Sequence, residues 1–162
     1  MIVVMRAVVY AAVFVGIVLI FLPARVLSWT GVIRPPTIGI PQLAGMVIGA
    51  TGATLAMWCV LTFALVGKGT PAPFDPPRRL VMRGPYKFVR NPMYIGGGLA
   101  LVGAALFYHS SRLLAYAGLF FLASHLFVVR YEEPTLRRAF GADYDAYCRQ
   151  ARRWWPRWSP RS

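Results

Sequence analysis

The sequence predicts an all-α integral membrane protein of about four transmembrane helices with a cytosolic C-terminal helix. Three observations carry that expectation. The chain is 57% hydrophobic and only 14% charged, more apolar than an ordinary soluble domain needs to build its core. Its apolar residues gather into four runs near the length that crosses roughly 30 Å of hydrocarbon. Its basic residues gather in the polar stretches that lie on one side of a four-span arrangement. At 162 residues the chain makes one membrane domain over 1–162. The net charge of +13 would suit nucleic acid, but the basic residues flank apolar runs. That placement points to anionic membrane lipids and argues against a nucleic-acid partner.

The first run, residues 3–22, is broken only by Arg6. It is too long for the apolar core of a signal peptide, and Leu22-Pro23-Ala24-Arg25 offers a poor cleavage site, so a retained helix is expected. Residues 43–66 form the second span, with Gly45, Gly49 and Gly52 on or near one face. Small residues at such spacing let helices approach closely in lipid. Residues 93–108 and 113–129 form two shorter spans joined by His109-Ser110-Ser111-Arg112, which leaves room only for a tight antiparallel hairpin. The stretch 67–92 holds six prolines and reads as an ordered loop rather than a helix. The tail, 130–162, reads as a helix followed by an Arg/Trp/Pro segment.

Orientation follows from charge. Four spans place the N-terminus, the 67–92 loop and the tail on one side, with fifteen of the 18 basic residues; only Arg25, Arg34 and Arg112 fall on the other. Positive charge is retained on the cytosolic side, so both termini and both polar stretches are expected there. All five acids, Asp75, Glu132, Glu133, Asp143 and Asp145, are on that side too. Sixteen arginines against two lysines, with abundant Ala and Gly, hint at a GC-rich bacterial genome and hence at a bacterial inner membrane.

Several chemistries find no support. His109 and His125 lie in or beside apolar runs, away from every acid, which disfavours a Ser-His-Asp arrangement. Two histidines with Cys59 and Cys148 give no metal-ligand spacing, and the two cysteines should lie at different depths. Gly96-Gly97-Gly98 lacks the lysine and the strand of a phosphate loop; close helix packing is the main reading, and close backbone approach to a ligand the other.

Two stretches remain. In residues 80–94, Asn91-Pro92 is a helix start signal, Asn as cap and Pro at the first helical position. The helix that follows turns its free N–H groups toward a loop carrying Arg83, Lys87, Arg90, Tyr86 and Phe88, which suits a carboxylate. An interfacial anchor would have the same composition, so both readings stand here. In residues 130–147, Glu132 and Glu133 directly follow an apolar span, where acids are costly unless paired or solvated. Neighbouring helical side chains diverge by roughly 100°, so one glutamate should face inward. Leu136, Phe140, Tyr144 and Tyr147 fall on one face of a single helix. Trp154, Trp155 and Trp158, set among Arg and Pro, read as interfacial anchors.

Taken in order, Gly84-Pro85-Tyr86, Arg90-Asn91-Pro92-Met93-Tyr94, Glu132-Glu133 and Phe140-Gly141-x-x-Tyr144-x-x-Tyr147-Cys148-Arg149 resemble the isoprenylcysteine carboxyl methyltransferase and phospholipid methyltransferase group over residues 68–158. That resemblance implies a small helical membrane bundle that binds S-adenosylmethionine under its C-terminal helix. It implies cofactor contacts from Arg78, Arg79, Leu80 and Val81, largely through backbone, and from Tyr86, Asn91, Pro92, Met93 and Tyr94. It places Glu132 at the substrate, with Glu132 or Glu133 as the base an amine or hydroxyl acceptor would need. The group usually carries His where Asn91 stands. Its prenylcysteine members carry an Arg four positions before the first glutamate; Val128 is there, with Arg130 half a turn on as a possible replacement. An inward Glu132 should find an arginine among Arg83, Arg90, Arg149, Arg152 and Arg153.

The implied reaction is methyl transfer to a lipophilic acceptor, an isoprenylcysteine-like carboxylate or a lipid, drawn from the membrane. Two alternatives remain at this point. Membrane sterol reductases share a similar Arg-x-Pro-x-Tyr region but bind NADPH and are much longer, and a non-catalytic lipid-binding protein would also explain the basic face. The charge asymmetry itself is testable: in cysteine-accessibility labelling of intact cells, a cysteine at position 112 should react from outside and cysteines at either terminus should not. Cytosolic labelling at 112 would overturn the four-span arrangement.

Overall fold

The computed structural model describes residues 9, 12–29, 31, 37–67 and 80–156, and these are almost entirely helical. Three helices are long and apolar enough to cross a membrane: α1 (Ala12–Trp29), α2 (Ile40–Thr62) and α4 (Ser111–Phe140). Between α2 and α4 packs a shorter apolar helix, α3 (Pro92–Phe107). A final amphipathic helix, α5 (Ala142–Gln150), follows α4. Large apolar side chains such as Ile20, Phe21, Trp58, Leu119 and Leu122 point outward. Water would penalise such a surface and lipid accepts it, so the chain is an integral membrane protein.

Lipid is as apolar as leucine, so helices in it associate through close contact rather than through hydrophobic exclusion. The α2–α3 pair is built on this. A Cβ on Gly52 would lie 2.5 Å from the Ala100 backbone N, one on Gly96 would lie 2.8 Å from that of Ala56, and one on Gly103 only 2.4 Å from that of Gly49. The expected glycine face of the second span is therefore real. Within the Gly96–Gly98 run, Gly96 meets α2 and Gly97 meets Phe120 of α4, while Gly98 is in ordinary contact. Close packing accounts for the run.

Helix starts follow local chemistry. Before α2, the Gln42 side chain accepts the Gly39 N–H at 3.0 Å, with Pro41 in the first turn. At the α3–α4 hairpin, His109 takes a positive φ of 48° and Ser110 caps α4 by accepting the Leu113 N–H at 3.2 Å. The expected tight antiparallel turn is found.

α1 runs past Leu22 and through Pro23 to Trp29. Residues Val15–Phe21 are wound as π-helix, with the Leu22 N–H bonded to the Ile17 carbonyl. In that register the Val18 carbonyl faces position 23, where proline has no N–H to offer. The Tyr116 hydroxyl of α4 donates to it instead, at 2.8 Å. One bond thus satisfies an orphaned carbonyl and ties α1 to the bundle.

At the other end, α4 continues without interruption to Phe140, and Gly141 (φ 50°) then breaks the chain before α5. The expectation of one continuous helical face from Leu136 to Tyr147 is corrected here. Leu136 and Phe140 belong to α4, Tyr144 and Tyr147 to α5, and the fold at Gly141 brings all four, with Leu80 and Ala151, into one cluster.

The glycine contact gives a direct test. Gly103→Ala must push α2 and α3 apart and should destabilise the purified protein by about 1–3 kcal/mol in detergent unfolding. Gly118→Ala, where a Cβ meets nothing within 4 Å, should leave the unfolding midpoint unchanged or slightly raised.

Candidate functional site

α2, α3 and α4 run antiparallel, so the end of α2, the segment 80–91, the start of α3 and the last turns of α4 meet at one end of the bundle. Gly84 (φ 58°) lies against α2, where a Cβ would stand 3.1 Å from Thr62 Oγ1. The 3₁₀ turn that it opens, Gly84–Lys87, buries Pro85 and Tyr86. Tyr86 packs with Cys59 and Val81, flanked by Phe63 and Met93. From α5, the buried Tyr147 hydroxyl donates to the Tyr86 carbonyl at 2.6 Å. Burial holds the phenols of Tyr86 and Tyr147 above their ordinary range, so both stay neutral.

α3 starts where expected, with Asn91 at the capping position and Pro92 first in the helix. The capping bond itself is not made. Asn91 Nδ2 instead donates to the Arg153 carbonyl at 3.2 Å. Beside it, the Arg90 N–H donates to the Arg152 carbonyl at 2.9 Å, and Val89 and Arg152 form a parallel bridge. The tail after α5 is therefore laid along residues 89–91 in short extended pairing.

The two glutamates go to different partners. Val128–Glu132 is a π-turn, with the Glu133 N–H reaching the Val128 carbonyl; π-turns inside α-helices recur at functional sites. Glu132 Oε2 accepts from the Tyr94 hydroxyl of α3 at 3.2 Å. Glu133, the more buried of the two, is gripped by both ends of the Arg153 guanidinium (2.7 and 2.8 Å) and by Arg90 at 3.2 Å. The arginine expected for Glu132 is thus corrected: Arg90 and Arg153, two of the candidates, pair with Glu133. The side chains diverge at the π-turn, one toward α3 and the other toward the tail.

Arg90 also donates to the Tyr144 hydroxyl at 3.5 Å and contacts the Cys148 sulfur. Trp154, expected as a membrane anchor, is held in place: its indole N–H donates to His125 Nδ1 at 3.0 Å and its ring lies 4.8 Å from that of Phe121. Trp155 is exposed, and Trp158 lies outside the described residues.

Of the residues singled out in the sequence, Leu80, Val81, Tyr86, Asn91, Pro92, Met93, Tyr94, Glu132 and Glu133 gather at this end. Arg130 is exposed and takes no part in the ion pairs around Glu133. Arg78 and Arg79 lie outside the described residues. Sequence reasoning missed the hold of Tyr147 on Tyr86 and the docking of the tail. The alternation of Arg and Trp there carries no mark that separates a docked segment from a lipid-facing one.

The division between the acids predicts unequal effects. Glu133→Gln leaves two guanidinium groups facing one neutral amide and should destabilise by about 1–3 kcal/mol. Glu132→Gln keeps an acceptor for Tyr94 and should leave the melting temperature within a few degrees of wild type. Differential scanning fluorimetry on both purified variants measures the contrast; equal losses would contradict it.

No curated protein and no solved structure matches the chain. The family model for phospholipid methyltransferase matches residues 40–143, from the first residue of α2 into the first turn of α5. That range holds every described candidate residue and stops before the docked tail. Since the match covers well over half of the sequence, the chain belongs to the phospholipid methyltransferase family, and its helical bundle is that of a membrane methyltransferase.

Proposed function

We propose that the protein transfers a methyl group from S-adenosylmethionine to a lipophilic acceptor, an isoprenylcysteine-like carboxylate or a lipid. The reaction takes place on the cytosolic face of a bacterial inner membrane, with both termini cytosolic. Family membership supports the reaction type. The observation that carries the cofactor and the place is the Glu132–Tyr94 pair, an acid held at the polar end of an apolar bundle by a hydroxyl.

The residues present fit such a cofactor. Among the described residues Glu132 has a hydroxyl donor but no cationic partner, so a nearby positive ligand would be favoured there. Met93 and Tyr94, both half-buried, offer soft apolar surface beside it. The Asn91 side chain does not cap the first N–H groups of α3, and these suit a carboxylate. When bound, the cofactor supplies an electrophilic methyl on a sulfonium.

The chain's own task is then positioning and exclusion of water. Tyr86, locked from behind by Tyr147, and the start of α3 form a rigid wall. Glu132 orients the partners through its remaining lone pairs. For an amine or hydroxyl acceptor it also takes the proton, while Tyr94 holds its carboxylate in place. A carboxylate acceptor needs no base, and Glu132 then acts through orientation alone.

Two measurements test this reading. S-adenosylhomocysteine should raise the melting temperature of the detergent-purified protein by mass action and NADPH should not; Tyr86→Ala should weaken the effect. Glu132→Gln should lower methyl transfer to a lipid extract. With an amine or hydroxyl acceptor the loss is about 10²–10⁴-fold and is relieved at high pH, where the acceptor loses its proton unaided. With a carboxylate acceptor the loss is independent of pH. Full activity of Glu132→Gln on a confirmed acceptor would remove Glu132 from the mechanism.

A further inference from the structure

The tail after α5 makes four separate attachments, and two of them bear on one side chain. Asparagine at a capping position ordinarily turns its oxygen onto the N–H groups of its own helix. Asn91 does not, because its amide donates to the Arg153 carbonyl. That carbonyl is held in place by the Arg153 guanidinium, which grips both oxygens of Glu133 on α4. One residue on, Trp154 is fixed to α4 through His125 and Phe121. On the other side, the Arg152 carbonyl takes the Arg90 N–H.

We infer that Arg153 is a positioning residue: it clamps the tail to Glu133 so that the tail backbone holds Asn91 off the end of its own helix, leaving the first N–H groups of α3 open to the cofactor. With the tail lifted, the Asn91 side chain is free to rotate and cap Met93 or Tyr94, and it then competes with any ligand for the same donors. Docking of the tail and binding at α3 become coupled through one amide. The coupling rests on the cofactor reading above, and it extends the site beyond residue 143, where the family match ends.

The test is a double-mutant cycle read by calorimetric titration of S-adenosylhomocysteine into the full-length protein in detergent. A side-chain cap is worth enough that Arg153→Ala should weaken binding about fivefold when Asn91 is present. In Asn91→Ala protein no side chain remains to compete, and the same Arg153→Ala change should cost less than about twofold. Arg153→Lys, which cannot span both oxygens of Glu133, should fall between wild type and Arg153→Ala. An equal loss in both backgrounds, or none in either, overturns the inference and leaves Arg153 as structural support. Should Arg153→Ala not fold, Trp154→Phe, which keeps a ring and removes only the bond to His125, takes its place in the cycle, and equal losses in the two backgrounds again overturn the inference. Wild-type protein that binds no S-adenosylhomocysteine overturns the cofactor reading, and this inference with it.

Discussion

Glu133 sits where a long apolar helix leaves the hydrocarbon, and a carboxylate there is tolerable only because two guanidinium groups reach it. Those groups come from different parts of the chain: Arg90 from the turn before α3, and Arg153 from the tail. Meeting the electrostatic demand of one side chain therefore fastens three segments together. Arg90 extends the network to Tyr144 and Cys148 of α5. The organisation of this end of the bundle follows from where one acid was placed.

The network needs a firm base, and the α2–α3 contact supplies it. Glycines on both helices bring backbone against backbone, at Gly45 and Gly52 of α2 and at Gly96 and Gly103 of α3. Tyr86 is caught between the end of α2 and the Tyr147 hydroxyl. A small bundle in lipid cannot stiffen a polar site by burying a larger core. It does so here by close helix contact below the site and ion pairing above it.

Much of this was legible from residue order. Gly45, Gly49 and Gly52 announced a close contact because small residues at that spacing let backbones approach, and at Gly45 and Gly52 a Cβ would stand within 2.6 Å of α3. Asn91-Pro92 announced a helix start, and four residues between two apolar runs announced a hairpin. What was not legible depended on competition between partners. Asn91 has the chemistry of a cap, yet its side chain makes no cap and its amide donates to the Arg153 carbonyl, 62 positions away. Five arginines could have answered Glu132; the geometry of a π-turn, invisible in hydropathy, sent two of them to Glu133. Leu136 to Tyr147 fits one helical face, yet Gly141 folds the stretch and keeps the cluster while breaking the helix. Periodicity reports which side chains are buried together, not whether one helix carries them.

The adjacent acids show how one inserted residue separates structure from chemistry. Adjacent carboxylates on a helix emerge about 100° apart and face different neighbours, and the turn that carries them sets which neighbours those are. The π-turn Val128–Glu132 turns Glu133 to the tail and Glu132 to Tyr94. With Arg90 and Arg153 committed to Glu133, Glu132 keeps, among the described residues, a hydroxyl donor and no cationic partner. A charge compensated within the fold stabilises it. An acid left without a cation can be answered by a ligand, and this one lies beside Tyr94 in the first turn of α3.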